Sequence, residues 1–243
     1  MASTYIFDMD GTLTPSRGII SVAMGEALEE LVRWRKVIII SGADSSQVEK
    51  QLSIEDDFWE VGLNIVKMSQ NGNVCEDIDN VMWCRKLDTY SRMEIFSHIN
   101  SVLKKFPIRV DDIEDLVEDR GAQVSFSLVG HNASSEKKSA FDPGGHLRRQ
   151  VLQFVPFNVP GLTVRVGGTT CLDYIAEDGT KAHNLQRLLN PDELADATYV
   201  GDQLYPGGND NDVRSIPGLD CLPVSCHTDT LEFIRGELEM IRI

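Results

Sequence analysis

Short apolar runs alternate with stretches of helical spacing at both ends of the chain. Runs at residues 4–7, 37–40 and 198–200 are typical of buried strands. Apolar residues recur at helical intervals between the first two runs, and helical segments also follow the second run and precede the third. The predicted helices cover residues 19–32, 44–52 and 181–189, the last of which is closed by Asn190 and Pro191. This alternation predicts an α/β domain with a mostly parallel sheet.

The middle of the chain follows a different pattern. Its predicted elements are a helix over 90–105, an alternating strand over 123–128, a helix over 135–154 and a strand over 163–166. Alternation of polar and apolar residues is typical of an antiparallel sheet with one open face. We therefore predict a core domain formed by residues 1–82 and 180–243, and an α+β domain inserted into it over residues 83–179.

The charge balance narrows the classes of partner. The 243 residues carry a formal net charge of −15, so the chain should repel nucleic acids and anionic membranes. No apolar run approaches the ~20 residues of a membrane-spanning helix, and residues 1–4 lack the start of a secretory signal. The five cysteines form no C-x-x-C pair, so we predict reduced thiols in a cytoplasmic protein rather than disulfides or a zinc site.

Acidic and hydroxyl residues follow the three predicted strands of the α/β domain. Asp8 and Asp10 follow the first strand, Ser41 the second and Asp202 the third, with an Asn/Asp-rich segment at residues 209–212. Ligands of such sheets bind outside the carboxyl ends of the strands. Because clustered carboxylates repel one another, we expect a cation among them, and oxygen ligands favour Mg²⁺. No cluster of cysteine and histidine residues competes for a softer metal.

The string D-M-D-G-T-L-T at residues 8–14 carries the most specific signal. A single aspartate after a strand is usually a helix cap or a turn residue. In this string, however, Asp8 suits a nucleophile that forms an aspartyl-phosphate, and Asp10 suits a general acid/base. Gly11 permits a tight backbone bend between them and the next segment.

These motifs resemble those of the haloacid dehalogenase (HAD) superfamily, in the capped subfamily IIB, and within it those of eukaryotic phosphomannomutases. The superfamily motifs correspond to residues 8–14, I-S-G at 40–42, Lys181 and G-D-Q-L-Y-P-G-G-N-D-N-D at 201–212. The features of the phosphomannomutase branch lie at residues 14–17, 71–72, 120–121, 167–173 and 206–210. The resemblance implies a Rossmann-like HAD core with a mostly parallel sheet and an inserted α+β cap of the C2 type that determines substrate specificity.

The resemblance also implies roles in the core. Ser41 would hydrogen-bond the transferring phosphoryl group, and Lys181 would neutralise its charge and orient the nucleophile. The residues implied to hold Mg²⁺ are Asp8, Asp10 through its backbone carbonyl, and Asp202, with Asn209 and Asp210 in or near the metal shell.

For the cap, the resemblance implies residues that bind the end of the substrate far from the nucleophile. Arg17 and Arg120 match arginines of the family, and Asp173 matches a ligand of the sugar hydroxyls. The chain departs from the pattern at three further substrate positions, where His131 and Lys138 replace arginines and Cys171 replaces a serine. Lysine offers a point charge instead of a guanidinium fork, and histidine is largely neutral at pH 7, so the grip on a distal phosphate is expected to be weaker.

Three functions follow as hypotheses. The first is a Mg²⁺-dependent phosphatase of a small sugar phosphate, which the weakened cap favours because a monophosphate product would be released. The alternative is a phosphomannomutase that interconverts hexose 1-phosphate and 6-phosphate. The third, a catalytically silent binding module, is disfavoured because Asp8, Asp10, Lys181 and Asp202 are all present. The expected partner is a phosphorylated sugar, with no nucleic acid and no membrane, and the expected state is a monomer or homodimer.

Overall fold

The chain folds into two compact units. The computed structural model describes residues 2–53, 65–78, 80–108, 110 and 112–242. The first unit comprises Met1–Cys84 and Gly179–Ile243, and the second comprises Arg85–Asp178. Each unit has its own sheet and its own hydrophobic core. None of the described helices is long and apolar enough to cross a lipid bilayer.

The first unit contains a seven-stranded sheet in the order β11-β10-β1-β2-β3-β4-β5. Its strands are β1 (Thr4–Asp8), β2 (Lys36–Ile40), β3 (Ile65–Ser69), β4 (Val74–Glu76), β5 (Val81–Cys84), β10 (Ala197–Gly201) and β11 (Asp220–Pro223). Neighbours from β11 to β3 pair in parallel, whereas β4 and β5 join in antiparallel fashion at one edge. The prediction of a mostly parallel sheet is therefore confirmed.

Helices cover both faces of this sheet. They are α1 (Val22–Val32), α2 (Ser45–Leu52), α6 (Lys181–Leu188), α7 (Pro191–Ala195) and α8 (His227–Ile241). Successive residues of β1 belong to different cores, since Phe7 packs with Leu28 of α1 whereas Ile6 packs with Leu185 of α6. Burial on both faces explains why the central strands β1, β2 and β10 contain continuous apolar runs rather than alternating ones.

The second unit contains a four-stranded antiparallel sheet in the order β6-β7-β9-β8. Its strands are β6 (Val117–Asp119), β7 (Gln123–Ser127), β8 (Leu162–Gly167) and β9 (Cys171–Ala176), and its helices are α3 (Thr89–Lys105), α4 (Ser135–Phe141) and α5 (His146–Phe154). One face is apolar: Phe126 and Tyr174 pack there with Ile95 of α3 and Val151 of α5. The separate antiparallel sheet predicted for the insertion is confirmed.

The prediction of one helix over residues 135–154 is wrong. The segment forms two helices, α4 and α5, because Pro143, Gly144 and Gly145 interrupt it. Gly144 and Gly145 have φ values of 79° and 70°, a left-handed backbone that glycine adopts readily. Asn190 and Pro191 likewise do more than end α6, because Asn190 caps α7 and Pro191 opens it.

Candidate active site

The carboxyl ends of three adjacent strands bring the predicted residues of the first unit together. Asp8 is the last residue of β1, Ser41 directly follows β2 and Asp202 directly follows β10. Because β1 pairs in parallel with both β2 and β10, these ends meet at one edge of the sheet. Asp8 and Ser41 are buried, and Asp202 is partly buried.

Lys181 lies at the centre of this group. Its Nζ donates to Asp8 Oδ1 at 2.5 Å and to Asp210 Oδ1 at 2.7 Å, and all three side chains are buried. The position follows from the local sequence, because the Thr180 side chain caps α6 and makes Lys181 its first residue. Lys181 is therefore a buried cation shared by two carboxylates.

Tyr199, on β10, completes the surroundings of Asp210 and was not predicted as a site residue. Its hydroxyl donates to Asp210 Oδ1 at 2.7 Å and lies 3.3 Å from Lys181 Nζ. The backbone N–H of Gln203 donates to Asp210 Oδ2 at 3.2 Å. With three donors on its carboxylate, Asp210 is best placed to hold Lys181. Every residue of β10 is buried, so burial alone would not distinguish Tyr199 from an ordinary core residue.

The electrostatics of the cluster are unfavourable for ionised carboxylates. Burial and the charge of Asp210 raise the pKa of the Asp8 carboxyl, and Lys181 opposes this rise. Burial and Asp210 likewise raise the pKa of Asp202 to about 6. Burial lowers the pKa of Lys181, but Asp210 and Asp8 outweigh it and raise the value overall. The cluster thus favours further positive charge.

The oxygen atoms present fit a Mg²⁺ ion. One carboxylate oxygen from each of Asp8, Asp202 and Asp210 lies within 4.8 Å of the other two. Within the part of the chain that the structure describes, Asp202 Oδ1 and Asn209 Oδ1 are buried and make no hydrogen bond. Buried polar atoms normally have a hydrogen-bond partner or bind an ion, so these two oxygens are suited to bind a further partner. A set of oxygen donors at this site matches a hard cation.

Two residues of the first motif let the strand ends approach. Thr12 is fully buried, its hydroxyl donates to Asp8 Oδ2 at 3.3 Å, and it accepts from the backbone N–H of Asp202 at 3.1 Å. Gly11 has a φ of 84°, and a Cβ atom there would lie 2.6 Å from Asp202 Oδ2. Only glycine therefore allows Asp202 to lie this close to the motif.

Asp10 is held through one of its carboxylate oxygens. Asp10 Oδ1 accepts from the backbone N–H of Arg17 at 2.5 Å and from Gln51 Nε2 at 3.0 Å. Arg17 has a φ of 55°, unusual for a residue other than glycine, and its side chain is exposed. The contact of Arg17 with Asp10 is therefore made by its backbone.

The second unit carries a row of polar residues on the sheet face opposite its core. Glu118, Ser125, Asp173 and Arg165 are directly opposed across β6, β7, β9 and β8. Directly opposed residues share a face of the sheet. Asp173 Oδ1 accepts from Ser125 Oγ at 2.6 Å, and Arg120 donates to Glu118 Oε2 through Nη2 at 2.6 Å.

The remaining predicted residues lie around this row. His131 is buried, with Nδ1 at 3.4 Å from Glu118 Oε1 and Nε2 at 3.2 Å from the carbonyl oxygen of Ser125. Lys138 Nζ donates to the carbonyl oxygen of His131 at 2.5 Å. Cys171 lies two residues before Asp173 on β9 and therefore on the same face. Five of the six predicted substrate residues thus belong to the second unit, and Arg17 belongs to the first.

A buried arginine fixes the turn beside Cys171. Arg148 of α5 donates through Nε to Asp142 Oδ2 at 3.0 Å, and through Nη1 to the carbonyl oxygens of Gly167, Gly168 and Cys171. Gly167 in turn contacts Asp173 closely, since a Cβ atom there would lie 1.6 Å from Asp173 Oδ2. Arg148 and Gly167 were not predicted as site residues.

Comparison with known families decides the affiliation. The family model described as eukaryotic phosphomannomutase matches residues 24–239. The chain belongs to the eukaryotic phosphomannomutase family. The phosphomannomutase of Schizosaccharomyces pombe is 26% identical over 222 residues, covering 86% of this chain and 83% of the relative. The phosphomannomutase of Saccharomyces cerevisiae is 24% identical over 218 residues, with the same coverage of each chain.

Solved structures support the fold of this family member. Plasmodium falciparum IMP-nucleotidase superposes with a TM-score of 0.65 at 15% identity, covering 98% of this chain and 68% of that one. A haloacid dehalogenase-like hydrolase from Bacteroides thetaiotaomicron superposes with a TM-score of 0.60 at 15% identity, covering 100% and 99%. The protein is a HAD-type phosphoryl-transfer enzyme. The family relatives support the mutase alternative better than the phosphatase hypothesis, which stays unconfirmed.

Proposed function

We propose that this phosphomannomutase-family protein interconverts hexose 1-phosphate and hexose 6-phosphate through an aspartyl-phosphate on Asp8. The observation that carries the proposal is the shared cation of the first unit, in which Lys181 Nζ lies 2.5 Å from Asp8 Oδ1 and 2.7 Å from Asp210 Oδ1. A nucleophilic carboxylate needs such a cation when it meets an anionic phosphate. Membership in the phosphomannomutase family supports the isomerisation.

Each side chain then has a defined task. The cycle begins with an aspartyl-phosphate on Asp8, formed from hexose bisphosphate. Asp10 takes the proton from the free hydroxyl group of the hexose monophosphate, that oxygen attacks phosphorus, and the bond to Asp8 breaks, which gives the bisphosphate. After the bisphosphate has reoriented, an Asp8 oxygen attacks the phosphorus at its other end and the bond from that phosphorus to the sugar oxygen breaks, while Asp10 protonates the departing oxygen. Ser41 would hydrogen-bond the phosphoryl oxygens, and Lys181 would offset their charge throughout.

We propose Mg²⁺ as the cofactor. Asp8, the backbone carbonyl of Asp10 and Asp202 would hold the ion, with Asn209 beside them. When bound, it would neutralise charge on the phosphoryl group and keep the nucleophile ionised. Asp210 would act by holding Lys181, because three donors already occupy its carboxylate.

The polar face of the second unit is proposed to bind the far end of the substrate. Arg120 is the proposed anchor for a distal phosphate and Asp173 for sugar hydroxyls, with Cys171 beside Asp173. Arg120 carries a guanidinium fork that matches a phosphate group, and its side chain retains some exposure despite its contact with Glu118. In this proposal the second unit is the cap that determines substrate specificity, and Arg17 is a further substrate contact from the first unit.

A sugar-phosphate phosphatase is the second candidate, and one observation favours it. His131 and Lys138 stand where the family pattern has arginines, and the Lys138 ammonium is engaged by the carbonyl oxygen of His131. A weaker hold on the distal phosphate would release the bisphosphate intermediate or admit water to the aspartyl-phosphate. The core chemistry would be the same in both cases.

The deciding experiment follows the fate of one substrate. Mannose 1-phosphate is incubated with Mg²⁺ and a catalytic amount of hexose bisphosphate, and both mannose 6-phosphate and free phosphate are measured. We expect the 6-phosphate to form, and we expect EDTA or Asp8→Asn to abolish it. Free phosphate without isomer would replace the proposal by the phosphatase. Neither product, from a panel of hexose phosphates, would leave only a binding module.

A further inference from the structure

Gln51 lies beside the first motif, although it belongs to no motif of the sequence. It is on the last turn of α2, and its side chain is fully buried. Its Nε2 donates to Asp10 Oδ1 and to Thr14 Oγ1, both at 3.0 Å. We propose that Gln51 is a positioning residue that fixes the Asp10 carboxyl group for proton transfer with the sugar oxygen. The proposal rests on the acid/base role of Asp10 in the proposed function.

Chemistry fixes the direction of the amide. An ionised carboxylate only accepts hydrogen bonds, so the NH₂ group of Gln51 must face Asp10. The Thr14 hydroxyl accepts the second N–H and can donate to the carbonyl oxygen of Met9 at 3.4 Å. Both N–H groups of the amide are therefore used, and they link the two ends of the turn that carries Asp10.

The contacts select one oxygen of Asp10 for chemistry. The Gln51 amide and the Arg17 backbone N–H both converge on Oδ1. With Oδ1 occupied by two donors, proton transfer falls to Oδ2. The backbone carbonyl oxygen of Gln51 also accepts from the backbone N–H of Ile20 at 2.8 Å. One residue thus holds both the Asp10 carboxylate and the loop whose backbone donates to it.

The side-chain carbonyl oxygen of Gln51 argues against a purely structural role for this residue. Among the described residues, Gln51 Oε1 is buried and has no hydrogen-bond partner. A buried polar atom without a partner costs about 1–3 kcal/mol. An apolar side chain of similar size would avoid this cost. Stability alone therefore does not explain an amide here, whereas the orientation of Asp10 does.

The experiment compares two phosphoryl donors whose leaving groups differ in their need for a proton. Departure of a sugar oxygen needs a proton from Asp10, whereas the acetate that leaves acetyl phosphate does not. In Gln51→Met, we expect kcat for a hexose monophosphate to fall by about 10- to 100-fold, part of the about 10²–10⁴-fold that a positioned acid/base contributes. We expect the rate of Asp8 phosphorylation by acetyl phosphate, followed in a single turnover with labelled donor, to change by less than about twofold.

Matched variants separate positioning from damage to the fold. Gln47→Met makes the same change at a partly exposed residue of the same helix and should leave hexose turnover within about threefold of wild type. Gln51→Asn keeps the amide but is too short to reach Asp10, and should behave as Gln51→Met does. Because both rates are measured on one preparation, their ratio is independent of the folded fraction.

The outcomes are distinct. An equal loss with both phosphoryl donors, or no loss with the hexose phosphate, would overturn the role of Gln51 while leaving the proposed function standing. A wild-type protein that accepts a phosphoryl group from neither donor would overturn the proposed function and the role of Gln51 together. A selective loss with the hexose phosphate supports the role, and it does so whether the final product is an isomer or free phosphate.

Discussion

Replacing Asp202 by asparagine should stabilise the metal-free protein at alkaline pH. Burial and the charge of Asp210 raise the pKa of Asp202 from 3.8 to about 6. The folded state therefore binds this proton more tightly than the unfolded state does. Its stabilising effect is complete below about pH 4 and is lost as the pH rises through about 6. Asp202→Asn removes the ionisable group, so the variant does not lose this stability as the pH rises.

The magnitude follows from the size of the pKa shift. A rise of about two pKa units means that ionised Asp202 lowers the free energy of unfolding by about 3 kcal/mol at pH 8, at about 1.4 kcal/mol per unit. Because Asp202 is partly exposed, we reduce this by half for solvent screening, to about 1.5 kcal/mol. For a chain of this size, that free energy corresponds to about 3–6 °C in Tm.

Thermal unfolding in EDTA at pH 8 and at pH 4 measures the effect. Asp202→Asn should raise Tm at pH 8 and leave it unchanged at pH 4. Added Mg²⁺ should raise Tm of the wild-type protein but shift that of the variant much less, because a proposed ligand of the ion is lost. Asp220→Asn, at an exposed carboxylate on the neighbouring strand β11, is the control and should change neither value. A lower Tm for Asp202→Asn in EDTA, or an undiminished response to Mg²⁺, would refute the reasoning.

Three further substitutions test other parts of the structure. Lys181→Met leaves two buried carboxylates without their cation, so we expect a loss of about 3–5 kcal/mol in urea unfolding and of about 10²–10³-fold in kcat. Gly167→Ala places a Cβ atom against Asp173, so KM for a hexose phosphate should rise about tenfold while phosphorylation by acetyl phosphate is unchanged. Arg148→Met leaves the carboxylate of Asp142 buried without its partner. We expect the free energy of unfolding of the second unit, measured by limited proteolysis, to fall by about 3–5 kcal/mol.

The site of the first unit could be anticipated because topology alone assembles it. Parallel strands place their carboxyl ends at one edge, so residues that follow apolar runs, such as Asp8, Ser41 and Asp202, must meet. Gln51 and Tyr199 could not be anticipated in this way. Each lies within a regular element, where its polar atom meets the site only through tertiary packing.

The same limit applies to the fold. The parallel strands β1, β2 and β10 are continuous apolar runs and were predictable. The parallel strands β3 and β11 contain polar residues and were not predicted. β4 has only three residues, and β5, at the sheet edge, has no buried residue to impose a pattern. In the second unit, alternation revealed β7 because its apolar side faces the core. The break between α4 and α5 was missed because apolar residues on both sides kept helical spacing across Pro143.

The electrostatics of the site support the proposed dependence on a metal ion. The oxygen cluster holds three carboxylates, and Lys181 is the cation that two of them share, so two negative charges remain without compensation in the described part of the cluster. Burial and Asp210 then raise the pKa of Asp8 despite Lys181, which favours a protonated carboxyl group. A protonated carboxyl group is a poor nucleophile, and an anionic substrate would add further repulsion. A second positive charge beside Asp202 and Asn209 would remove both obstacles, because it would favour the ionised nucleophile and attract the phosphate. An overall charge of −15 and an anionic substrate are thus compatible, provided that the positive charge is concentrated at the end of β1.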